Sequence, residues 1–134
     1  MDPRPSALGL TLCDRIIVDQ LTGQPSLICI FTDLRADGFP SPPTRFSAYA
    51  MLTGGTGSGI ITLRAIRSAT GEQIYVERRP INFRDRTDVV SAFFRIESIV
   101  FPSAGFYLFQ LLADHELIER SQRWIRVYRR SSLR

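Results

Sequence analysis

Phe101-Pro-Ser-Ala-Gly-Phe-Tyr-Leu-Phe-Gln-Leu-Leu-Ala-Asp-His-Glu-Leu-Ile-Glu-Arg120 runs from a Pro/Gly break through an aromatic stretch and a polar turn into a second apolar stretch. Aromatic and aliphatic residues on either side of a short polar turn predict a β-hairpin. In an extended chain, successive side chains point to opposite faces. Tyr107, Phe109 and Leu111 therefore share one face, and Phe106, Leu108 and Leu112 share the other, with Gln110 its one polar member. One apolar face fills a core. The second needs cover from a loop, from long side chains or from another chain, because leaving three large apolar groups wet forgoes roughly 1.5–3 kcal/mol each.

Short strands broken by turn residues recur on both sides of this hairpin. Residues 8–13 and 15–19 read as one bent strand. Thr22-Gly-Gln-Pro25 is a turn, and Leu27-Ile-Cys-Ile-Phe-Thr-Asp-Leu34 is a strong strand, again apolar on both faces. Asp37-Gly-Phe-Pro-Ser-Pro-Pro43 reads as a loop, since its three prolines lack N–H donors. Strands follow at 46–52, 60–67, 73–79 and 89–99, with 80–88 as a polar connection, and 123–128 closes the chain. No stretch of ten residues shows a helical period. The pattern predicts an all-β domain, specifically an Ig-like antiparallel β-sandwich of eight or nine strands over residues 8–128. A flexible lead (1–7) precedes it and a basic tail (129–134) follows.

The 134 residues suffice for one core without staples. No apolar run reaches the roughly 18 residues of a membrane span. Met1-Asp-Pro-Arg-Pro-Ser6 lacks the pattern of a secretory signal, so a cytoplasmic location is the expectation. All 17 basic residues are arginine, and the net charge is +4. Six of them (120, 123, 126, 129, 130, 134) follow the last acid, leaving 11 arginines against 13 acids in 1–119, a net of −2. The excess charge thus belongs to the end of the chain. Cys13 and Cys29 read as two small buried hydrophobes, close enough in sequence for neighbouring strands to bridge them.

Leu12-Cys-Asp14, Ser26-Leu-Ile-Cys-Ile-Phe31, Phe46-Ser-Ala-Tyr49, Leu52-Thr-Gly-Gly55 and Pro102-Ser-Ala-Gly-Phe-Tyr107 occur in this order. In that order the chain resembles a family of small bacterial β-sandwich proteins with no established activity. The resemblance spans nearly the whole chain and implies the sandwich fold and a bacterial source. It carries no functional residues across.

Each candidate for chemistry has a plainer reading. Gly54-Gly-Thr-Gly-Ser-Gly59 has the glycine spacing of a phosphate loop, but Ile60 and Ile61 stand where Lys and Ser/Thr are needed. These glycines are expected in a flexible hairpin loop. His115, the only histidine, sits between Asp114 and Glu116 at the hairpin tip and lacks the companions of a zinc site. Asp33, Asp37, Asp85 and Asp88 would make a calcium site only if their loops met at one end of the fold. No Gly-x-Ser-x-Gly elbow occurs. No catalytic residue, metal or cofactor is expected.

The strongest candidate is a contact surface. If Ile125 and Val127 enter the core, Trp124, Arg126 and Tyr128 form an outward row of residue types enriched at interface hot spots. With Phe106, Leu108 and Leu112 they make the expected interface of a non-enzymatic assembly module, binding a protein partner or a second copy. Arg129, Arg130 and Arg134 would then meet an acidic partner surface. A carbohydrate-binding sandwich using Trp124 and Tyr128 is the alternative. Nucleic-acid contact through the terminal arginines ranks third.

Overall fold

The computed structural model describes residues 1 and 3–130. Its ten strands are β1 (Ser6–Ala7), β2 (Thr11–Val18), β3 (Pro25–Ile30), β4 (Asp33–Ala36), β5 (Thr44–Thr53), β6 (Gly57–Arg67), β7 (Gln73–Phe83), β8 (Val89–Ile99), β9 (Gly105–Ala113) and β10 (Glu116–Arg129). They form two strongly curled five-stranded sheets. In the first, β5 is central. It pairs with β8 on one side and with β1 and β2 on the other, and β3 extends β2. The second has the order β4-β10-β9-β6-β7.

The all-β expectation holds, with one strand more than the upper figure. Four local readings are corrected. The apolar run 27–34 is split between two sheets, because Cys29 takes a positive φ of 56° and Phe31-Thr32 carries the chain across. Its second half, β4, lies parallel to β10, so the ladders are not all antiparallel. Residues 80–83 continue β7 instead of leaving it: Pro80 is tolerated because β7 is a sheet edge, where a missing N–H breaks no ladder. The glycine stretch is not a hairpin loop, since β5 and β6 belong to different sheets. Gly54 and Gly57, at φ 85° and 83°, turn the chain through that crossover, and a Cβ on Gly55 would sit 3.0 Å from the Phe83 ring.

Part of the 1–7 lead is built into the fold. Ser6 and Ala7 pair with Thr53 and Leu52, and Ala7 is fully buried. Cys13 is buried as expected, whereas Cys29 is exposed; both thiols are free. Their strands do pair, but Cys13 stands opposite Ile30, so the register puts Cys29 on the other face of the strand.

Between the sheets lies one core. Leu12, Phe46, Ala48, Ala50, Leu52, Phe94 and Ile96 meet Ile61, Leu63, Tyr107, Phe109, Leu111, Ile125 and Val127. Phe46 of the first sheet packs edge-to-face on Phe109 of the second with ring centroids 5.8 Å apart. The predicted hairpin is β9–β10. Asp114 and His115 both take positive φ, as a two-residue turn matched to strand twist requires. A bulge between Leu117 and Gln122 re-aims β10, with Arg120 at φ 60° and the buried Ser121 hydroxyl 2.6 Å from the Ile118 carbonyl.

Tyr107 anchors the start of β9. Its hydroxyl donates to the Ser103 carbonyl at 2.6 Å and accepts from the Ser103 N–H at 3.3 Å, while the ring stacks edge-to-face on Phe101. Tyr107→Phe removes the hydroxyl alone and leaves that carbonyl without its donor. The expected loss is about 1–3 kcal/mol of unfolding free energy, read by urea denaturation.

Candidate functional site

The two faces of β9 separate as the period-two reading expects. Tyr107, Phe109 and Leu111 are fully buried. On the outer face Phe106 is 55% exposed, Leu108 is half-buried, and Gln110 and Leu112 are buried. The register explains the gradient. Leu112 lies between Leu117 of β10 and Thr62 of β6. Gln110 lies between Gln122 and Arg64, and its side chain donates to Gln122 at 3.0 Å and accepts from Arg64 at 2.8 Å. Leu108 lies between Trp124 and Ile66, while Phe106 has Arg126 beside it. The chain's own cross-strand neighbours therefore cover Leu112 and much of Leu108, and Phe106 is left open.

On β10, Ile125 and Val127 are in the core and Trp124, Arg126 and Tyr128 point outward, Trp124 being 52% exposed. Tyr128 is held between two arginines. Arg126 lies over its ring at 4.8 Å and Arg35 at 5.7 Å, and Arg35 Nε donates to its hydroxyl at 2.7 Å. The parallel β4 ladder makes this possible by setting Arg35 opposite Tyr128 and Asp33 opposite Arg126. Arg64 and Arg78 share the same outer face through Thr62, which faces both Leu112 and Arg78. Arg35, Arg64, Arg78 and Arg126 thus lie on this outer face, with Asp33 opposite Arg126. The alternation of 60–67 already marks Arg64 as outward; that it shares a face with Trp124, one row away, depends on a strand order with no local signal.

Of the expected basic tail, Arg129 ends β10, Arg130 pairs with Asp37 at 3.5 Å, and Arg134 lies outside the described residues. The aspartates do not converge. The Asp37 loop enters β5 at Thr44, whereas Asp88 lies at the other end, where its carbonyl accepts from the Thr53 hydroxyl. Asp85 accepts from Thr87, and Asp88 pairs with Arg84 at 3.1 Å; these contacts lower both carboxyl pKa values. At the hairpin tip, Asp114 accepts the Ile60 N–H at 2.9 Å and the Met1 ammonium at 3.1 Å, and Arg4 pairs with Glu116.

Two curled sheets about a single core make this an all-β protein, and no helix among the described residues is long and apolar enough to cross a membrane. Residues 8–125 match the sequence model of the family of unknown function DUF6941, and the chain belongs to that family. A search of curated proteins finds no match. Among solved structures, the chain is similar to part of the β-glucosidase from Listeria innocua in complex with isofagomine. That similarity has 6% identity and a TM-score of 0.41, and it covers 89% of this chain and 16% of that one.

Exposure sets the cost of truncation on β9 and β10. Phe109→Ala should cost about 3–5 kcal/mol. Phe106→Ala and Trp124→Ala, each about half exposed, should each cost roughly 1 kcal/mol or less in the same denaturation measurement. The hairpin tip has its own signature. The Ile60 hydrogen bond, reinforced by the Met1 ammonium, holds the Asp114 carboxyl below the usual carboxylate range. Its folded pKa is thus lower than its unfolded one. The contact is at full strength above the ordinary value, about 3.9, and is lost as pH falls through the lowered one. In an NMR titration the Ile60 amide shift should stay constant to about that pH and move below it. Asp114→Asn should abolish the movement.

Proposed function

We propose that this chain is a non-enzymatic protein-interaction module, cytoplasmic, built on an Ig-like β-sandwich. Three features support the Ig-like reading: the order β2-β5-β8 facing β4-β10-β9-β6-β7, the parallel pairing of β4 with β10, and a tyrosine near the start of β9 bonded back four residues. The docking surface is the outer face of the second sheet. The observation that carries this reading is the open pair Phe106 and Trp124, diagonal neighbours on adjacent strands, each about half exposed in a folded domain. Aromatic anchors of this kind supply most of the energy of a protein interface. Arg126 beside Phe106, Arg35 across Tyr128 and Arg64 one row from Trp124 favour a partner with an apolar centre and an acidic rim.

The test is affinity capture from the native host with intact-complex mass determination, using three forms of the chain. Wild type and a Val18→Ala control on β2 should retain the same partner in defined stoichiometry. Phe106→Ala/Trp124→Ala should lose it while keeping the native fold by circular dichroism. Retention by the double variant would overturn the reading.

A further inference from the structure

A free sheet edge presents unpaired N–H and C=O groups to any other strand. Most edges of this fold are blunted. β1 has two residues and β4 has four. β3 begins at Pro25 and takes a positive φ at Cys29, and β7 carries Pro80 next to Arg78 and Arg79. Residues 89–96 of β8 include neither proline nor glycine, and their register against β5 is unbroken from Thr53↔Val89 to Phe46↔Ile96. The one extra residue that bulges β8 lies beyond, between Ile96 and Ile99. Along 89–95, alternate backbone groups therefore point away from β5. A crevice of about 300 Å³ opens between this edge and β7. It is lined by Ile61, Ile81, Val90, Ala92 and Phe94, with Ala92 the smallest of them.

Two guanidinium groups flank the edge, one on each side. On the inner side Arg79 lies over the Phe94 ring at 5.6 Å and donates its Nε–H to Glu77 at 2.9 Å. Its terminal nitrogens have no hydrogen-bond partner among the described residues, and the other Glu77 oxygen accepts from the Tyr75 hydroxyl at 2.6 Å. On the outer side Arg95 is exposed and has no ion-pair partner among the described residues; the neighbouring Glu97 pairs with Arg45 at 3.9 Å. We propose that residues 89–95 of β8 bind an extended peptide of a partner protein as an added antiparallel strand, its sequence two consecutive acidic residues followed two positions later by a large apolar one. Period-two alternation selects that chemistry. The first acid, opposite Arg95, lies on the outer side and meets its guanidinium. The second, opposite Phe94, lies on the inner side beneath Arg79. The apolar residue, opposite Ala92, enters the crevice where the alanine leaves room. This edge belongs to the first sheet and is separate from the docking face of the second.

The end-blocked, fluorescently labelled peptide Ser-Glu-Glu-Thr-Leu-Thr-Val-Ser tests the assignment, by anisotropy and by NMR of the isotope-labelled protein. It should bind, with amide shifts and new amide protection centred on residues 89–95. Arg79→Gln should weaken binding about threefold. Arg95→Glu sets like charges opposite and should weaken it about fivefold, and a peptide with lysine in place of its first acid should recover the loss. Ala92→Leu fills the crevice with the chain's own side chain and should abolish binding while circular dichroism stays native. Phe106→Ala/Trp124→Ala should bind like wild type, which separates this edge from the docking face. Absence of binding at millimolar peptide, equal binding of a Gln-Gln peptide, shifts centred on Phe106 and Trp124, or no recovery of Arg95→Glu by the lysine peptide would each overturn the proposal. So would protection of β8 in the free protein that grows with protein concentration, the mark of a second copy on this edge.

Discussion

Phe109 is where the two sheets are locked together. It sits on the central strand of its sheet, fully buried, with the Phe46 ring packed across the gap between sheets. β9 runs without a bulge and so alternates its faces, and holding Phe109 inward also fixes Tyr107 and Leu111 inward and Phe106, Leu108, Gln110 and Leu112 outward. Slipping β9 by one residue would bury Gln110 and expose the tyrosine with its Ser103 contacts. The core and the outer surface are thus two results of one register.

On that surface, polar and apolar rows alternate across the strands. Arg64, Gln110 and Gln122 form a hydrogen-bonded row between the Thr62–Leu112–Leu117 row and the Ile66–Leu108–Trp124 row. The polar row satisfies a buried amide and holds the apolar side chains apart. The Arg35–Tyr128–Arg126 stack fixes the far end of the face. A rigid surface of this kind loses little conformational entropy when something docks on it.

The strands, the hairpin tip and the inward and outward residues of β9 and β10 were legible because each depends on period-two alternation and turn chemistry within a few residues. The run 27–34 misled because both of its halves are apolar; only the positive φ at Cys29 divides them, and cysteine gives no sign of that conformation. Pro80 misled because the sequence does not tell an edge strand from a central one. The glycine crossover, the separation of Asp37 from Asp88 and the placing of Arg35 beside Tyr128 and Arg64 near Trp124 all depend on strand order. Strand order is set by pairings between distant parts of the chain, and these leave no local pattern.

The parallel ladder of β4 with β10 joins residues about 93 positions apart, as in the Arg35–Tyr128 hydrogen bond. No local turn can nucleate such a contact, and loop closure must be met before it contributes anything. During synthesis β4 has to wait, unpaired, until nearly all of the strands after it have emerged. Its four-residue length keeps the exposed backbone short over that interval. The second sheet can gain its β4 edge only once the end of β10 is available, so the Arg35–Tyr128 contact cannot form before then.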